Sequence, residues 1–63
     1  MKYLRIEEDN SLETQASDPS AEDREQVCNG TLTIIRVENG RYERLVVDEE
    51  GEDGEFEGTW EQV

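Results

Sequence analysis

Thr31-Leu32-Thr33-Ile34-Ile35-Arg36-Val37-Glu38, then Asn39-Gly40, then Arg41-Tyr42-Glu43-Arg44-Leu45-Val46-Val47-Asp48: this stretch reads as a complete β-hairpin. Asn-Gly is the preferred pair for a two-residue type I′ turn, in which both central residues take positive φ. A turn at 39–40 sets the register. Glu38 then faces Arg41, Arg36 faces Glu43, Ile34 faces Leu45 and Leu32 faces Val47, so opposite charges and aliphatic partners line one face. The other face carries Ile35, Val37, Tyr42 and Val46 with Thr33 and Arg44. Both faces are substantially apolar.

Outward from the hairpin, the C-terminal side holds an acidic connection punctuated by Gly51 and Gly54, then an alternating segment over 55–63. Phe56, Gly58 and Trp60 share one side and Glu55, Glu57, Thr59 and Glu61 the other, which predicts a third antiparallel strand in a meander. Gly58, lying between two aromatics, allows close approach to a neighbouring backbone.

Towards the N-terminus, Asp18-Pro19 reads as an N-cap followed by the first helical residue, with Ser20 and Asp23 a second, weaker start. Gly30 suits the position after a helix end, so a helix is expected over 19–28. Its apolar content is only Ala21, Val27 and Cys28, so it must dock on the sheet. Leu4 and Ile6 alternate with Tyr3 and Arg5 in a first strand over 2–7, and 12–16 alternates more weakly, as a short strand or extended loop.

The expected fold is therefore one small α+β domain over 1–63: a mostly antiparallel sheet of three or four strands, ordered β-α-β-β-β, with one short helix. The first strand pairs either parallel to the sheet edge or antiparallel to the hairpin. A single helix covers one hairpin face, so the other either curls on itself or forms a patch for a second copy or another protein. At 63 residues the buried fraction is small, about 60% of the unfolded chain's surface, and stability is marginal.

The net charge of −12 is unevenly placed. Residues 1–6 carry +2, 7–25 carry −7, 26–47 carry +1 and 48–63 carry −8 with no basic residue at all. Direct binding of nucleic acid, which requires Lys and Arg against phosphates, is excluded, as is an anionic membrane surface. The field attracts basic proteins. The segment 1–10 has no signal-peptide core and nothing approaches a membrane-spanning run, so a cytoplasmic protein is expected.

Chemistry-bearing residues are few. The chain has no histidine and a single cysteine, Cys28, with no imidazole to activate it. No enzyme activity, cofactor or metal site is expected. The run Asp48-Glu49-Glu50-Gly51-Glu52-Asp53-Gly54-Glu55 fails the calcium-loop pattern, since a start at Asp48 puts Asp53 at the glycine position and Thr59 at the final ligand. What remains is acid itself. Glu55, Glu57 and Glu61 on one strand ridge, where successive same-face positions lie about 6.7 Å apart, with Glu49, Glu50, Glu52 and Asp53 beside them, would form a charge row resembling successive phosphates.

The leading expectation is a non-enzymatic protein-binding module in which this row docks on a basic, nucleic-acid-handling partner and inhibits it by mimicry. Trp60, Phe56 or Tyr42 would supply an aromatic anchor; packing in the core is the plainer role for these rings. The alternative is an acidic structural domain, its charge serving solubility or tolerance of high salt, that homodimerises through the spare hairpin face. Arginine outnumbers lysine, with Lys2 alone, which suits that alternative.

Overall fold

The computed structural model describes residues 2–48, 51 and 54–63. Five strands and one helix follow the order β1 (Lys2–Glu7), β2 (Leu12–Gln15), α1 (Ala21–Cys28), β3 (Leu32–Glu38), β4 (Arg41–Val46) and β5 (Thr59–Gln62). The strands form one antiparallel sheet in the spatial order β2-β1-β3-β4-β5.

The central hairpin keeps the register that its turn dictates. Asn39 (φ 50°) and Gly40 (φ 76°) both take positive φ, and Glu38 pairs with Arg41, Arg36 with Glu43 and Val37 with Tyr42. The Arg36 guanidinium donates twice to Glu43 Oε1, at 2.7 and 3.1 Å.

The sheet is larger than the three or four strands expected, and the order is β-β-α-β-β-β. Leu12–Gln15 is a true strand because it forms a second hairpin with β1, pairing Tyr3 with Gln15 and Ile6 with Leu12. That turn is local chemistry: Ser11 N–H donates to Asp9 Oδ1, Asn10 sits at φ 69°, and its N–H donates to the Glu7 carbonyl. The first strand's ambiguous partner resolves as β3, antiparallel, with Leu4 opposite Ile35.

The helix starts later than Asp18-Pro19 suggests. Ser20 is the N-cap: its hydroxyl accepts from Asp23 N–H while the Asp23 carboxylate accepts from Ser20 N–H. A reciprocal box satisfies two orphan donors, whereas a lone Asp cap satisfies one. Asp18 instead accepts a hydrogen bond from the Tyr3 hydroxyl. At the other end Gly30 (φ 82°) donates to the Val27 carbonyl and Thr31 to that of Gln26, a Schellman closure.

Strand alternation and register divide the sheet into two faces. Tyr3, Leu32, Ile34, Leu45 and Val47 form the buried core, with Val27, Cys28, Phe56 and Trp60 packed against it. This is the face that α1 covers. In β1 it is therefore the Tyr3–Arg5 side that turns inward, and Leu4 and Ile6 join the open face.

The last strand is shorter than 55–63. Its ladder with β4 runs only from Glu43–Gln62 to Val46–Thr59. Upstream, Phe56 forms an isolated bridge and its carbonyl accepts from the Arg24 guanidinium of α1. Gly58 meanwhile lies so close to β4 that a Cβ there would meet Leu45 Cδ1 at 2.6 Å and Val47 Cγ2 at 3.0 Å.

Candidate functional site

The two faces differ in charge as sharply as in cover. On the helix-bearing side, acids come from β1 (Glu7), β2 (Glu13), α1 (Glu22, Asp23, Glu25) and the hairpin (Glu38, Glu43). Asp18, Glu55 and Glu57 line an open cleft of about 640 Å³ on the same side together with Arg24, Arg36 and Trp60, between the start of α1 and the segment leading into β5.

Four arginines share that side; Arg5, Arg24 and Arg36 are engaged within the fold, and Arg41 lies exposed opposite Glu38 at the hairpin turn. Arg5 Nη1 donates to Asp23 Oδ1 at 2.8 Å and its Nη2 reaches Glu7 at 3.4 Å. Arg24 binds the carbonyls of Phe56 and Pro19. Arg36 pairs with Glu43 and stacks over the Trp60 ring, 4.4 Å from its centroid. Acidic groups outnumber the arginines on this side, and three of its four arginines are already bound.

Titration follows the same contacts. Burial pushes the Asp23 carboxyl upward, but the Arg5 hydrogen bond and the Ser20 donors outweigh it and hold it below the ordinary carboxylate range. Hydrogen bonding to Ser11 lowers Asp9. The bond to Asp18, reinforced by burial, raises the Tyr3 hydroxyl.

The expected acid row is distributed rather than collinear. Glu49, Glu50, Glu52 and Asp53 lie outside the described residues. Glu55 and Glu57 precede β5 and sit at the cleft, whereas Glu61, within β5, faces the opposite side of the sheet beside Arg44. Trp60 is half-buried on the core side, its ring 5.9 Å from that of Tyr3, and Phe56 packs on the same core. Both rings are cleft walls. Tyr42 is the exposed aromatic, at 53% of its surface, on the open face.

That open face is the feature that residue-by-residue reading found only in part. Leu4 and Ile6 from β1 and Leu12 from β2 join Ile35, Val37, Tyr42 and Val46 there, with Lys2, Thr14, Thr33, Arg44, Thr59 and Glu61 completing its strand positions. The signal was present in the alternation of Leu4 and Ile6, but the pairing of β1 with β3 was needed to aim it. No helix of the described residues is long and apolar enough to cross a membrane, and no cluster of metal-ligating groups occurs among them.

The chain matches no family model, no curated protein and no solved structure.

Proposed function

We propose that this chain is a non-enzymatic protein-binding domain that docks its acidic, helix-bearing side on a basic surface of a nucleic-acid-handling protein and competes there with nucleic acid. One observation carries the reading: Arg5, Arg24 and Arg36 are bound internally, so Arg41 at the hairpin turn is the one exposed arginine on this side and the carboxylates around α1 and the cleft outweigh it. Such a field steers association with a basic partner and weakens with salt. The cleft suits a partner's lysine or arginine stem, with Trp60 and Phe56 among its apolar lining and Asp18, Glu55 and Glu57 among its acids, the lining Arg24 and Arg36 being bound within the fold. Glu49, Glu50, Glu52 and Asp53 add to the same charge in sequence.

A non-catalytic role agrees with the absence of histidine from the chain. The test is retention from cell extract on the immobilised domain at about 0.05 M salt, where the Debye length is long, followed by elution with duplex DNA. Recovery of nucleic-acid-binding proteins that DNA displaces supports the proposal. Retention of none, or of proteins that DNA leaves bound, removes it.

A further inference from the structure

We propose that the uncovered sheet face is a homodimer interface, through which two copies pack face to face with their acidic sides outward. Three observations converge on a second copy as the occupant.

The first is composition. An antiparallel sheet that faces water alternates apolar with polar residues. Here the face opposite the helix is apolar at its centre, where Leu4 and Ile35 stand side by side between β1 and β3. Val37 adjoins them, Arg44 stands opposite Ile35, and the edge strands contribute Thr14 and Glu61 together with the exposed Leu12, so the face is predominantly apolar.

The second is charge. The chain carries −12, yet the strand positions of this face hold only Lys2, Arg44 and Glu61, a net charge of +1. Glu61 is the single acid and lies in register with Arg44. A basic partner is drawn to the other side of the molecule and finds nothing here. A second copy brings no opposing acid to the contact. Stacked sheets lie ~10 Å apart, which sets the two helix-bearing sides well beyond the Debye length of about 8 Å at physiological salt.

The third is area. Strands of four to seven residues about 4.8 Å apart, rising ~3.4 Å per residue, give two copies roughly 900 Å² of mutual contact, close to the threshold of about 1,000 Å² for a specific interface. Pairing through the sheet edges is the poorer alternative, since β2 and β5 are four-residue strands that carry Glu13 and Glu61.

The experiment is sedimentation equilibrium of the full chain from micromolar to about 0.5 mM, at several sodium chloride concentrations. It is accompanied by isotope-filtered NMR on a mixture of labelled and unlabelled protein. The expected result is a dimer whose affinity holds or tightens as salt rises, with intermolecular contacts between methyl groups of Leu4, Ile35 and Val37. Ile35→Glu should weaken it more than a hundredfold by placing two carboxylates in the apolar centre. If circular dichroism shows that variant unfolded, Tyr42→Lys, at a position already exposed in the monomer, should weaken the dimer at least tenfold. A monomer at every concentration and salt overturns the proposal. So does a dimer whose contacts run from α1 or the sheet edges, or one indifferent to Tyr42→Lys. Acidic-side docking weakens with salt and this association does not, so the two proposals fail separately.

Discussion

Replacing Gly58 with alanine tests the element on which the acidic cleft is built. The new Cβ would lie 2.6 Å from Leu45 Cδ1, 3.0 Å from Val47 Cγ2 and 3.1 Å from the Val46 carbonyl oxygen. Leu45 and Val47 are core residues with little room to move, and the carbonyl belongs to β4 itself. Two effects compete. Alanine reduces the freedom of the unfolded chain, which stabilises by about 0.4–1 kcal/mol. Overpacking against a fixed core costs about 1–3 kcal/mol, and the backbone contact places this case in the middle of that range or above.

The net expectation is a loss of about 1–2 kcal/mol, or roughly 5–15 °C in Tm for a domain this small. Urea denaturation followed by Trp60 fluorescence measures it directly. Leu45→Val removes the methyl group met first, so Gly58→Ala should cost at least ~0.5 kcal/mol less in that background. A neutral or stabilising Gly58→Ala, or perfect additivity of the pair, would refute the close apposition of this segment to β4.

Four further expectations come from single contacts. Gly40→Ala meets no atom within 4 Å but must hold φ 76°, so it should cost about 1 kcal/mol in thermal melts, from backbone strain alone. Ser20→Ala should cost about 1 kcal/mol of stability by removing the cap, while Asp18→Asn should leave helix content unchanged in circular dichroism. Because Asp23 is held below its ordinary range, its contribution is complete above the unfolded carboxylate value and is lost as pH falls through the folded one. Asp23→Asn should therefore lower stability by roughly 1–2 kcal/mol at neutral pH and flatten the decline below about pH 4. The raised Tyr3 hydroxyl works in the opposite direction: its contribution is complete below about pH 10 and is lost above it. Tyr3→Phe should remove that alkaline decline in stability measurements up to pH 12.

Much of this architecture was legible locally because its causes are local. Asn39-Gly40 imposes positive φ at two residues, and that alone places Arg36 on Glu43 and aligns Leu32, Ile34, Leu45 and Val47 along one side. Gly30 ends the helix for the same kind of reason, and Gly58 marks a close approach. One misplacement arises where two groups compete for one partner. Asp18 was a credible cap until Ser20 and Asp23 formed the reciprocal box and Tyr3 claimed the Asp18 carboxylate. The 55–63 segment alternates like one strand, and Phe56, Gly58 and Trp60 do share the core side, but the regular ladder with β4 stops at Thr59. Glu61 keeps the side opposite Trp60, beside Arg44.

Sequence alone thus determined the hairpin, its register, the helix and the amount of negative charge, since each depends on residues within a turn or a strand of one another. Only the tertiary structure decided which side of the first strand is buried, that a second hairpin widens the sheet to five strands, and that acid and apolar surface lie on opposite faces. The physical reason is that alternation specifies two sides of a strand but not their destinations. The pairing of Leu4 with Ile35, across some thirty residues of chain, chose which side became core and which stayed open.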